Sequence, residues 1–130
     1  MTVVDASALE AILAHEPERE AFLDFLILNA TTLSPIGYWE TAVAARRVLG
    51  HDGNVALDTL MDLLNITIAP ATGATAAIAA TALVNFGKGT AAKLNLGDCF
   101  AYALAKELNA PLLFRGDDFT RTEVKSALTA

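Results

Sequence analysis

The sequence predicts an α/β fold in which a central parallel β-sheet is flanked by helices on both faces. One observation sets that class, and two others establish that the chain builds a packed core at all. Short runs of β-branched or leucine residues, from Thr2-Val3-Val4 to Leu112-Leu113-Phe114, alternate with longer segments of helical periodicity, and strand–helix alternation is the mark of a parallel sheet covered on both sides. Apolar residues fill 54% of the 130 positions, and a chain of this length hides roughly two-thirds of its unfolded surface on folding. Charged residues make up only 18%, which excludes intrinsic disorder. The length corresponds to a single domain over residues 1–130, with no internal repeat and no linker.

Each element has its own signal. Thr2-Val3-Val4 is a buried strand that halts at Asp5. Residues 6–14 are helical in composition. Pro17 opens a second helix at its first turn, where Ala21, Phe22, Phe25 and Leu26 keep the three-and-four spacing of a buried face and Asn29 closes the element. Thr31-Thr32-Leu33 is a strand candidate. Ser34-Pro35 joins an N-cap residue to a proline at the first helical position, and the helix runs to Leu49 with Gly50 as its stop. After the turn His51-Asp52-Gly53, Leu57, Leu60, Met61 and Leu64 make an amphipathic stripe. Ile66-Thr67-Ile68 is a strand, the alanine-rich segment 73–86 a close-packed helix, and 87–93 a loop. Asn95 caps a helix that ends at Asn109, Leu112-Leu113-Phe114 is the last strand, and a turn at Arg115-Gly116-Asp117-Asp118 leads to a short helix from Thr120.

Composition excludes several functions. Nine basic against 15 acidic residues give a formal charge of −6, so a generic basic nucleic-acid coat is ruled out and any bound nucleic acid must meet a local patch or a metal. A single cysteine, Cys99, allows neither an intramolecular disulfide nor a cysteine zinc cluster. His15 and His51 are too few for a histidine-rich metal site, and neither has a nucleophile nearby in sequence. No apolar run reaches membrane-spanning length, and Asp5 with no basic region before it is not a secretory signal. The expected location is the cytoplasm, with no membrane partner.

In parallel sheets ligands bind beyond the carboxyl ends of the strands. Asp5 follows the first strand, and Asp117 and Asp118 follow the last. Glu40 stands on a helix between Ile36, Val43 and Ala44, an apolar face on which a carboxylate needs a partner, a metal or a rim position. Asp98 opens the helix after Asn95, with the small Ala101 on its face. If the sheet assembles as argued these acids converge, and without a cation at least one has its pKa raised. Oxygen donors without His or Cys suit Mg²⁺ or Mn²⁺, and a carboxylate-held metal activates water and binds phosphate oxygens. The residues therefore point to metal-assisted hydrolysis of a phosphoester.

Asp5-Ala6-Ser7-Ala8-Leu9 resembles the opening motif of PIN domains. The run Leu96-Gly97-Asp98-Cys99-Phe100-Ala101-Tyr102-Ala103-Leu104-Ala105 and the run Leu112-Leu113-Phe114-Arg115-Gly116-Asp117-Asp118-Phe119 resemble the C-terminal half of VapC-type toxins. The likeness covers nearly the whole chain. It implies a PIN-like fold and a Mg²⁺- or Mn²⁺-dependent endoribonuclease, the toxin of a type II toxin–antitoxin pair held by a VapB-like antitoxin. It implies that Asp5, Asp98 and one of Asp117 or Asp118 ligate the metal. Glu40 would bind the metal through water or orient the attacking water. Relatives often carry Asn at the first of the two aspartates, which favours Asp118, whereas proximity to the strand favours Asp117. Ser7 matches a site-orienting Ser/Thr. Thr120, Thr122 and Glu123 match a trailing Thr-acid pattern in which Asp is commoner, and the resemblance assigns Glu123 no direct role.

RNA would meet the cations Arg46, Arg47, Lys88, Lys93, Arg115 and Arg121, of which Lys88 and Lys93 share a glycine-bearing loop just before Asp98. Cys99 is expected as a small buried hydrophobe, and Phe22, Phe25 and Trp39 in core or interface packing. The helices over 17–28 and 57–64 carry apolar surface for a symmetric dimer or an antitoxin groove. Ser7 stands where a dehalogenase-type phosphatase needs its second Asp, and Ile66-Thr67-Ile68-Ala69-Pro70 lacks a receiver domain's Asp. The remaining alternatives are another Mg-dependent phosphoester hydrolase and a non-catalytic binding module on a PIN scaffold.

Overall fold

A computed structural model describes residues 1–128. It contains four strands, β1 (Thr2–Val4), β2 (Thr31–Leu33), β3 (Ile66–Ile68) and β4 (Leu112–Leu113). They form one sheet in the order β3-β2-β1-β4, and every pairing is parallel. The helices are α1 (Ala6–Leu13), α2 (Arg19–Leu28), α3 (Pro35–Leu49), α4 (Gly53–Leu63), α5 (Gly73–Phe86) and α6 (Leu96–Leu108). Among the described residues no helix is long and apolar enough to cross a membrane.

The strand period of two divides the core. Val3, paired with Thr32 and Leu112, packs with Leu112 against α5 and α6. Val4, paired with Leu113, packs with it against α1, α2, α3 and α4. All four side chains are at most 1% exposed, and burial of each contributes about 2 kcal/mol. Both faces of β1 and β4 are therefore covered, the usual arrangement of an all-parallel sheet. The alanines of α5 serve close packing: Ala79 and Ala82 are buried against α6. Cys99 is a buried member of the same cluster.

Caps settle several boundaries. Ser34 Oγ accepts the Ile36 N–H at 3.1 Å at the start of α3, and Asn109 ends α6 in the left-handed region at φ 48°. Some expectations shift. The second helix begins at Arg19 rather than Pro17, because the Arg19 N–H closes a turn on the Glu16 carbonyl at 3.0 Å and Pro17 lies inside that turn. Phe114 leaves the strand, and its ring packs on Phe119 at 5.1 Å between centroids. This contact anchors a 3₁₀ turn over Asp118–Arg121, earlier than the helix expected from Thr120. Trp39 is 66% exposed and takes no place in the core, while Phe22 is buried. The tail also returns beside β4: Leu112 donates to the Lys125 carbonyl and Ala127 to the Leu112 carbonyl, each at 2.9 Å. No periodicity in the sequence announced that pairing.

Candidate active site

The strand order changes direction at β1. The chain leaves β1 for β2 and β3 on one side and returns to β4 on the other, and such a switch opens a crevice at the carboxyl ends. Asp5 stands there. Its N–H donates to the Leu113 carbonyl at 2.8 Å, and its carboxylate caps α1 by accepting the Ser7 N–H at 3.1 Å. The Ser7 hydroxyl in turn accepts the Arg115 N–H at 3.0 Å. One short motif thus ties the end of β1 to the loop after β4.

Two helices bring further acids. Asp98, in the first turn of α6, forms a reciprocal capping box with Asn95: its N–H donates to Asn95 Oδ1 at 2.9 Å, and its Oδ2 accepts the Asn95 N–H at 3.1 Å. Glu40 reaches this turn from α3. Its carboxylate lies against Gly97, where a Cβ would overlap it.

The acids act on one another. Asp5 is only 5% exposed. Its carboxyl is raised to about 7: burial lifts it most, hydrogen bonding from Ser7 offsets part of the rise, and the charges of Asp98 and Glu40 add to it. Asp98 is raised by burial, lowered by its bond to Asn95 and raised by Asp118. Glu40 is raised by burial, then by Asp98 and Glu10. Glu10 belongs to the same field: burial, Asp5 and Asp98 raise it, and Arg47 lowers it. Sequence reasoning passed over Glu10, although it lies three residues beyond Ser7 and so shares its helical face.

Among the described residues no group of three His, Cys, Asp or Glu side chains is arranged to hold a metal ion. The donors nonetheless fit a hard cation in kind. They are carboxylate oxygens in mutual repulsion, and Mg²⁺ is usually held by one or two carboxylates with the rest of its shell water.

A likeness to known proteins accompanies this geometry. The PIN domain family matches residues 2–125. "Ribonuclease VapC" of Mycolicibacterium smegmatis is 38% identical over 125 residues, 94% of this chain and 96% of that protein. This chain belongs to the PIN domain family, among its VapC members. Solved structures agree on the fold. Mycobacterium tuberculosis VapC20, titled a sarcin-ricin loop cleaving toxin, superposes with a TM-score of 0.79 at 16% identity, over 95% of this chain and 96% of that one. A toxin–antitoxin complex from Klebsiella pneumoniae superposes at 0.71 with 19% identity, over 95% and 93%.

Of the remaining predicted residues of this PIN domain, Asp118 and Arg47 act on the acids by charge. Asp117 and Asp118 are both exposed, and it is Asp118 whose charge acts on Asp98. The Thr120 hydroxyl donates to the Asp117 carbonyl at 2.6 Å and the Thr122 hydroxyl to the Phe119 carbonyl at 2.8 Å, so both shape the turn that carries Asp118. Glu123 accepts from the Tyr102 hydroxyl and pairs with Lys106 at 3.3 Å. Arg115 pairs with Glu18 at 2.6 Å and Glu16 at 3.6 Å, which strap the loop after β4 to the start of α2. Arg46 and Arg47 occupy the last turn of α3, and Arg47 is the one whose charge reaches Glu10. Lys88 and Lys93 are exposed on the loop before α6, as is Arg121 in the 118–121 turn.

Proposed function

We propose that this PIN domain, as a single unit over residues 1–130, is an endoribonuclease and the toxin of a toxin–antitoxin pair, working in the cytoplasm. One observation carries the reading: a buried Asp5 at the end of β1 shares its field with Asp98 and Glu40, in a chain whose relatives are named ribonucleases. Asp5 and Asp98 are the residues to hold Mg²⁺ or Mn²⁺, with Asp118 rather than Asp117 as the fourth acid. Such an ion supplies positive charge that polarises water and neutralises phosphate oxygens. Glu40 orients the attacking water and takes up its proton. The water oxygen bonds to a backbone phosphorus, the bond from phosphorus to the leaving sugar oxygen breaks, and that oxygen takes a proton from solvent. Ser7 holds the Asp5 end of the site to the loop after β4.

The acidic chain meets RNA through local cations. Arg47, next to the acids, leads this set, with Arg46, Lys88 and Lys93 further out. An antitoxin protein is the expected partner, as the toxin–antitoxin neighbour supports. A symmetric dimer is the further proposal, supported by Ile27 and Leu28 on α2 and Leu63 on α4, which are 67%, 82% and 76% exposed. A monomeric sedimentation mass at micromolar concentration overturns the dimer.

The deciding experiment incubates the purified chain with end-labelled RNA in EDTA and across a Mg²⁺ and Mn²⁺ titration. Cleavage should appear only with the cation, and Asp98→Asn should abolish it without loss of the cooperative unfolding transition. RNA that stays intact at every cation concentration, while still binding, rejects the enzyme in favour of a binding module.

A further inference from the structure

Gly97 is not explained by helix chemistry. It is buried in the first turn of α6, between the cap Asn95 and Asp98, and its φ is not in the left-handed region. Its backbone thus accepts any residue, and alanine forms helix better. The three atoms nearest to where a Cβ would stand are Oε1, Cδ and Oε2 of Glu40, and all three would overlap it. The other tightly packed glycines differ: Gly37 faces the Leu33 side chain, Gly53 the backbone of Ala45 and Arg46, and Gly87 the backbone and side chain of Leu83. Among the described residues Gly97 is the one glycine whose missing side chain is replaced by a charged group.

We propose that Gly97 is a positioning residue for Glu40. Its lack of a Cβ leaves a seat on α6, and the Glu40 carboxylate enters that seat from α3 and stands beside Asp98. A methyl group at position 97 closes the seat. Glu40 is half-buried at the end of a flexible side chain, so it can swing out toward solvent while the helices stay packed. The helix is kept and the carboxylate is misplaced. The functional part of this inference rests on the nuclease reading above; the steric part does not.

The test is a cycle of Gly97→Ala, Glu40→Ala and the double variant, read by Mn²⁺ affinity from electron paramagnetic resonance, by RNA cleavage, and by thermal unfolding. Gly97→Ala should copy Glu40→Ala, with Mn²⁺ bound about tenfold more weakly, cleavage lost to the same degree and unfolding little changed. The double variant should be no worse than either single one. Wild-type behaviour of Gly97→Ala beside an impaired Glu40→Ala, or losses that add in the double variant, overturns the proposal. Should Gly97→Ala fail to fold, restored folding in the double variant supports the seat, and continued failure overturns it. If Glu40→Ala leaves both Mn²⁺ binding and cleavage intact, the nuclease role of Glu40 fails. The seat is then judged from the Glu40 ¹³Cδ resonance, which moves in Gly97→Ala if the seat is real and stays if it is not.

Discussion

Replacing Asp5 by asparagine tests the electrostatics of the site apart from its chemistry. The Asp5 carboxyl rises from 3.8 to about 7 in the folded chain, chiefly through burial. Between those two values the folded chain holds a proton that the unfolded chain has released, so stability falls as pH rises through that window. At 1.36 kcal/mol per pH unit the loss above pH 7 is about 4 kcal/mol. Asparagine is neutral throughout and also caps helices well. Relative to its offset at pH 4, Asp5→Asn should therefore gain about 4 kcal/mol over wild type by pH 8, or roughly 10–20 °C in unfolding midpoint. The assay is urea unfolding in EDTA at half-unit pH steps from 4 to 8. Asp98, Glu40 and Glu10 are also raised, but their titration is common to both proteins and leaves the difference except through coupling to Asp5. RNA cleavage should vanish in the variant that gains stability. A difference curve that stays flat from pH 4 to 8 refutes the reasoning, because a carboxylate buried against two others cannot be indifferent to its own charge.

Other perturbations follow from the same geometry. Mn²⁺ at a hundred times its dissociation constant should stabilise wild type by about 2.7 kcal/mol, measured as a midpoint shift, and should do little for Asp98→Asn. Asp118→Asn should reduce the cleavage rate far more than Asp117→Asn; equal losses reject the choice of Asp118. Gly53→Ala drives a Cβ to 2.5 Å from the Ala45 carbonyl carbon and should lower urea stability by about 1–3 kcal/mol without a change in Mn²⁺ affinity. Arg47→Gln should weaken RNA binding and flatten its salt dependence by about one counterion, whereas Arg115→Gln, taken from a guanidinium already paired with Glu16 and Glu18, should leave the slope unchanged.

Much of the fold was legible because its signals are local. Ser34-Pro35, Asn95 and Asn109 mark helix ends by cap chemistry that acts within a few residues. The four runs of β-branched or leucine residues became the four strands, shortened only where Phe114 turned away to pack on Phe119. What escaped was non-local. The pairing of Ser126 beside Leu112 rests on backbone groups that any sequence carries. Arg115 looked like a free cation because nothing in its neighbourhood reveals the carboxylates nearly a hundred residues earlier that hold it. Glu10 went unremarked because an acid on a helix is ordinary until Asp5 and Asp98 are known to stand within reach of its charge.

Read alone, the residue order was enough for the class of fold, the family likeness, and the conclusion that any metal chemistry here must be carried by carboxylates, since those follow from periodicity, motif and the scarcity of His and Cys. Which acids share a field could come only from the packed chain. The reversal of strand order at β1 set Asp5 beside the loop after β4, and the crossing of α3 over α6 set Glu40 on Gly97. Charge interactions depend on distance and on the water removed between groups, and neither quantity exists until helices far apart in sequence come into contact.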